Sequence, residues 1–175
     1  MAVKKRFFLV DGYSYLFRAY HSLPPLTNPE GTPVGAVYGF TNMLIKLKNR
    51  AETSNAEEIF MLVVFDAGKD TFRNEIYSEY KANRPDPPDD LKPQFPMVRE
   101  AAQALNLDVI DVKGFEADDI IATYAKQAEE EGFHVTIVST DKDLMQLVSE
   151  HVELYDSMRD IEIDPEKVHE KFGVE

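Results

Sequence analysis

Cysteine is absent from all 175 positions, which excludes disulfides, cysteine-ligated zinc, iron–sulfur clusters and thiol nucleophiles. No apolar run approaches the roughly 18 residues of a membrane span. The Met-Ala-Val-Lys-Lys-Arg start leads only into a short apolar run ending at Asp11. Positive charge is scarce: 19 Lys and Arg stand against 32 Asp and Glu, for a net charge of −13. What remains is a soluble intracellular chain with no membrane partner. Its 43% hydrophobic content, with 11 Phe and 8 Tyr, is ample for one core, so residues 1–175 read as a single domain.

The charge is uneven. Residues 1–90 carry 11 basic and 12 acidic side chains, a net of −1, whereas residues 91–175 carry 8 and 20, a net of −12. On charge alone an acidic protein binds nucleic acid poorly, because phosphate affinity comes mainly from Lys and Arg. Divalent cations held by the acids would reverse that sign locally.

Short apolar runs alternate with helical patterns. Phe7–Val10, Ile59–Phe65 and Val135–Val138 read as buried strands, and Val109–Val112 as a weaker one interrupted by Asp111. Helices are expected over Tyr15–Ser22, Val37–Arg50, Pro96–Leu105 and Ala117–Glu131, the last stopped by Gly132. The order β-α-α-β-α-β-α-β-α predicts an α/β fold with a mostly parallel central sheet flanked by helices and right-handed crossovers. Two segments interrupt the rhythm. Leu23–Pro33 holds four prolines and a glycine and reads as a loop. Gly68–Asp90 carries Lys69, Arg73, Tyr77, Tyr80, Lys81 and Arg84, then Pro85-Asp86-Pro87-Pro88, and is long enough to be functional.

Acids recur at strand ends. Phe7–Val10 ends in Asp11, Met61–Phe65 in Asp66, and Val135–Val138 leads to Asp141 and Asp143. The fourth strand leads to Glu116, Asp118 and Asp119, which open a helix. Parallel strands place their carboxyl ends along one edge, where ligands bind. Each acid alone is explained by a turn or a helix cap. Seven along one rim are not, because like charges brought together need raised pKa values or cations. Hard cations with oxygen ligands, Mg²⁺ or Mn²⁺, are the simplest answer, and two of them are common equipment for phosphoester hydrolysis. Lys81 and Arg84 then suit phosphate and Tyr77 or Tyr80 a base. A phosphatase with an aspartyl nucleophile expects Asp-x-Asp where this chain reads Asp11-Gly12-Tyr13. A PIN-type ribonuclease, and a non-catalytic or catalytically weak DNA-binding module, remain alternatives.

The motifs Phe8-Leu9-Val10-Asp11-Gly12, Gly35-Ala36-Val37-Tyr38-Gly39-Phe40, Val64-Phe65-Asp66 and Thr71-Phe72-Arg73 are joined by three more: Tyr80-Lys81-Ala82-Asn83-Arg84-Pro85, Glu116-Ala117-Asp118-Asp119 and Thr140-Asp141-Lys142-Asp143. Together they resemble the 5′ nuclease (5′–3′ exonuclease, flap endonuclease) domain of bacterial DNA polymerase I along nearly the whole chain. The resemblance implies a PIN-like fold with a helical arch, about residues 68–90, over the strand ends. It implies two divalent cations, Mg²⁺ with Mn²⁺ as a substitute, held by Asp11, Asp66, Glu116, Asp118, Asp119, Asp141 and Asp143. Lys81 and Arg84 match catalytic arch residues, and Arg73, Tyr77 and Tyr80 match substrate contacts. The implied partner is DNA with a 5′ single-stranded end or flap, in a bacterial cytoplasm at the nucleoid. The family pattern continues past this chain with another aspartate pair and a helix–hairpin–helix, and then polymerase domains, so the chain is expected to be the catalytic portion of a longer protein.

Overall fold

The computed structural model describes residues 5–68 and 71–173. Its centre is a six-stranded sheet built from β1 (Lys5–Asp11), β2 (Glu58–Val64), β3 (Asp108–Ile110), β4 (His134–Val138), β5 (Val152–Asp156) and β6 (Ile161–Ile163). The spatial order is β3-β2-β1-β4-β5-β6, parallel throughout except for the antiparallel β5–β6 pair.

Helices cover both faces, which is why β1 and β2 carry continuous apolar runs, Phe7–Val10 and Ile59–Val64, instead of alternating ones. On one face Phe8, Val10, Val63 and Phe65 pack with Tyr15 and Leu16 of α1 (Gly12–Ser22) and Phe40, Leu44 and Leu47 of α2 (Gly35–Glu52). Val98 and Ala102 of α4 (Gln94–Ala104), which follows the short α3 (Phe72–Ile76), complete that layer. On the other face Leu9, Val64, Val135 and Ile137 meet Ile120, Ile121 and Ala125 of α5 (Ala117–Glu130). Each fully buried Val, Leu or Phe contributes about 1.5–3 kcal/mol, so these two layers dominate stability. Gly132, at φ +83°, ends α5 in the left-handed conformation that suits glycine.

The expected strands and four helices are present with ends shifted by a few residues, and α1 begins at Gly12 because Asp11 caps it. The third strand is Asp108–Ile110, stopping before Asp111, whose carboxylate turns out to pair with Arg99. Beyond β4 the chain forms a 3₁₀ turn (Lys142–Leu147), then β5, β6 and α6 (Pro165–Phe172), which the sequence reading did not resolve. The arch segment is less helical than expected: among its described residues only the five of α3 form a helix, and turns occupy much of the rest up to Asp90. Tyr77 takes an extended conformation, the Asn74 amide donates to Tyr80 O at 3.1 Å, and Pro85, Pro87 and Pro88 have no N–H to offer a helix. Lys69 and Asp70 lie outside the described residues.

Candidate active site

β1 is the strand on either side of which the chain lays down its later strands, and the crevice between the ends of β1 and β4 is the switch point where open α/β sheets bind ligands. Asp11 closes β1 there. It is 7% exposed, and its Oδ1 caps α1 by accepting the Ser14 N–H at 3.3 Å. Its Oδ2 accepts from the buried Ser139 hydroxyl at 2.9 Å, and that same hydroxyl accepts the Asp141 N–H at 3.1 Å. Ser14 and Thr140 hydroxyls lie 3.1 Å apart. The ends of β1 and β4 are thus laced together around two acids. Asp141 Oδ1 in turn caps the following 3₁₀ turn by accepting the Asp143 N–H at 2.9 Å.

The second half of the site comes from the ends of β2 and β3. Asp66 Oδ1 accepts the Ala117 N–H, the first of α5, at 2.8 Å. Arg99 of α4 donates to Asp66 O at 3.1 Å and lies over the Phe65 ring at 4.7 Å. Glu116 and Asp119 form a capping box at the start of α5. The arch segment folds back onto these acids. Lys81 Nζ lies 2.6 Å from Glu116 Oε1, the Tyr80 hydroxyl donates to Glu116 Oε2 at 3.4 Å, and Arg73 grips both oxygens of Asp119 at 2.7 Å. An open cleft of about 1020 Å³ between them is lined by Asp11, Asp66, Glu116, Asp118, Asp119, Asp141 and Asp143 and, opposite, by Arg73, Tyr80, Lys81 and Arg84. Tyr77 does not line it; half exposed, its hydroxyl donates to Glu79 at 3.0 Å.

Burial pushes the Asp11 carboxyl up to about 7, with the Asp118 and Asp66 charges adding to the rise and the Ser139 and Ser14 hydrogen bonds opposing it. Asp118 is raised to about 6, first by burial and then by Asp141, Asp66 and Glu116. Asp119 moves the other way: the Arg73 fork holds it below the usual carboxylate range. Burial works against the Lys81 charge, but hydrogen bonds to Glu116 and Tyr80 leave its pKa raised. The cleft therefore holds two acids short of positive charge beside one already supplied with it.

A family model described as "5′-3′ exonuclease, N-terminal resolvase-like domain" matches residues 6–173. The chain belongs to this family. Among its relatives is a DNA polymerase I of Rhizobium leguminosarum, 55% identical over 170 residues, which cover 95% of this chain and 17% of that one. A 5′-3′ exonuclease of Aquifex aeolicus is 41% identical over 171 residues, 98% of this chain and 57% of the other. The chain thus spans about a fifth of the polymerase relatives and a little over half of the exonuclease. The fold is shared with a bacteriophage T5 flap endonuclease solved in a pseudo-enzyme–product complex with DNA and metal ions, at a TM-score of 0.66 and 21% identity over 97% of this chain and 61% of that one. The expected PIN-like α/β architecture is the one observed.

All seven acids expected for this 5′-3′ exonuclease family line one cleft. Among the described residues, however, no three of them converge closely enough to hold an ion. Two are instead engaged by arch cations. Their chemistry still suits a hard divalent cation, because the donors are all carboxylate oxygens and Asp11 and Asp118 carry pKa values that a cation would relieve. Sequence reasoning missed Ser139 and Arg99. Neither residue's local pattern shows its partner, Asp11 for Ser139 and the Asp66 carbonyl for Arg99.

Proposed function

We propose that this chain is the catalytic portion of a divalent-metal-dependent 5′ nuclease, a 5′–3′ exonuclease and 5′-flap endonuclease that hydrolyses DNA phosphodiesters. The observation carrying this reading is the single cleft in which seven carboxylates at the strand ends face Lys81 and Arg84. Its substrate is DNA with a 5′ single-stranded end or flap, a reading supported by the T5 neighbour, a flap endonuclease solved with DNA and metal ions. Relatives named DNA polymerase I support a place for this chain within a longer polymerase, and we propose that it serves replication and repair in the bacterial cytoplasm, at the nucleoid.

Two divalent cations, Mg²⁺ or Mn²⁺, would be held by Asp11, Asp66, Glu116, Asp118, Asp141 and Asp143. When bound they supply an activated water and charge stabilisation at the leaving oxygen. The chain's own residues do the rest. Ser139 and the α5 N-terminus hold Asp11 and Asp66 in place. Lys81, exchanging Glu116 for a phosphate oxygen, and Arg84 stabilise charge developing at phosphorus. Tyr80, beside Lys81 on the cleft wall, offers a ring for an unpaired base.

The test is cleavage of a 5′-labelled flap duplex in Mg²⁺, in EDTA, and with an all-RNA duplex in parallel. It is run on this chain and on a version extended to the length of the exonuclease relatives. Mg²⁺-dependent release of short 5′ DNA products is expected. Equal cutting in EDTA, preference for the all-RNA duplex, or no cutting by the extended version would sink the proposal.

A further inference from the structure

Asp119 uses both carboxylate oxygens inside the protein. Oδ1 accepts from Arg73 Nη2 and Oδ2 from Arg73 Nη1, each at 2.7 Å, and Oδ2 also takes the Glu116 N–H at 3.0 Å. This is the two-pronged geometry that Arg and carboxylate form best. The surroundings reinforce it. The Phe72 N–H donates to Gly114 O at 2.9 Å, the Phe72 and Phe115 rings lie 5.7 Å apart, and the Arg73 guanidinium lies 4.5 Å from the Phe72 ring. The Asn74 amide then reaches Tyr80 O, next to Lys81, at 3.1 Å. The base of the arch and the loop opening α5 are therefore joined at successive points, and a short closed stretch of chain carries the fixing on to Lys81.

We propose that Asp119 is a positioning residue and not a metal ligand: with Arg73 it clasps the arch to the start of α5 and so sets where Lys81 stands over the acidic rim. The two consecutive aspartates Asp118 and Asp119 then divide their work. Asp118 faces cations and Asp119 faces the arch. The catalytic consequence rests on the nuclease reading above; the clasp itself does not.

The experiment uses the whole chain and three variants, Asp119→Asn, Arg73→Gln and their double, with Asp118→Asn as a comparison. Asn at 119 keeps an oxygen to accept the Glu116 N–H, so the start of α5 is preserved. Mn²⁺ affinity by calorimetry should stay within about threefold of wild type in Asp119→Asn and fall by about tenfold or more in Asp118→Asn. Amides of residues 72–81 should exchange hydrogen roughly tenfold faster in each single variant, and no faster in the double than in Arg73→Gln, which removes the Asp119 clasp together with the weaker 3.6 Å approach to Glu116. In flap cleavage both singles should lose rate, and the double should lose no more than Arg73→Gln alone. Loss of Mn²⁺ affinity in Asp119→Asn to match Asp118→Asn overturns the proposal, as does unchanged exchange in either single or additive effects in the double. If wild type cleaves nothing, the nuclease reading fails while metal affinity and exchange still judge the clasp.

Discussion

The Ser139 hydroxyl is almost fully buried, donating to Asp11 and accepting from the Asp141 N–H, so it links the acids at the ends of two strands. Ser139→Ala leaves both partners short of a bond at a buried position, which should cost about 1–3 kcal/mol in urea melts. It also removes a contact that lowers the Asp11 pKa. That pKa should therefore move further above about 7 by carboxyl NMR, and an unchanged or lower value would contradict the link. Asp141 and Lys81 test the chemistry. Asp141→Asn deletes one of the proposed charged ligands and leaves the arch's basic residues intact, so cleavage should vanish while flap binding in Ca²⁺ is kept or tightened by weaker phosphate repulsion. Lys81→Ala should lower the single-turnover rate by about 10²-fold, the scale of losing one electrostatic stabiliser. If Lys81→Ala instead costs metal affinity at full rate, the roles are misassigned.

Among elements, the β1–α1 junction shows how closely packing and site are joined. A Cβ on Gly12 would meet the Phe65 ring at 2.4 Å, so the residue after Asp11 must be glycine for α1 to sit against the end of β2. Gly12→Ala should therefore displace Phe65 and, behind it, Arg99 and the Asp66 carbonyl. A loss of about 1–3 kcal/mol is expected in denaturant titrations, with reduced Mn²⁺ affinity because two acids are displaced together. Wild-type stability in this variant would show that Phe65 can yield freely. The arch is the opposite kind of element. It holds little apolar burial: Ile76 is 81% exposed, and α3 has no buried residue. Polar ties to Glu116 and Asp119 hold it instead, and Lys81 itself sits at φ +57°, a conformation costing roughly 1–2 kcal/mol for a side chain with a Cβ. On the proposed function, substrate phosphate would compete directly with those ties.

For the whole molecule, the raised pKa values of Asp11 and Asp118 make stability depend on pH. Between about pH 4 and 7 the folded state keeps protons that the unfolded chain has released, so stability of the metal-free protein falls as pH rises through this window. Ionising Asp11 against a pKa of about 7 costs on the order of 4 kcal/mol relative to an ordinary carboxylate, and the more solvated Asp118 adds less. A divalent cation removes that cost by stabilising the ionised forms. The rise in melting temperature on adding Mg²⁺ should therefore be larger at pH 8 than at pH 5, by several degrees at roughly 2–4 °C per kcal/mol. An equal rise at both pH values would mean that these acids do not meet the cation. No helix among the described residues is long and apolar enough to cross a membrane.

By itself the sequence determined the parallel sheet and its helices, because continuous apolar runs such as Phe7–Val10 can be satisfied only between two covering layers. It also determined that the acids share an edge, since strand direction follows from connection length and an Asp at a strand's carboxyl end then has one place to be. β5 escaped notice because Glu153 interrupts its apolar run, and that carboxylate is accounted for by partners on other strands: Thr136 at 2.8 Å and His134 at 3.4 Å on β4, and Arg6 on β1 at 3.9 Å. The arch was legible as a segment from its basic and proline content, but which acid each of its cations takes depends on where the chain returns. Only the tertiary structure decided that Arg73 belongs to Asp119, Lys81 to Glu116 and Ser139 to Asp11, because partners 46, 35 and 128 residues apart leave no trace in local pattern.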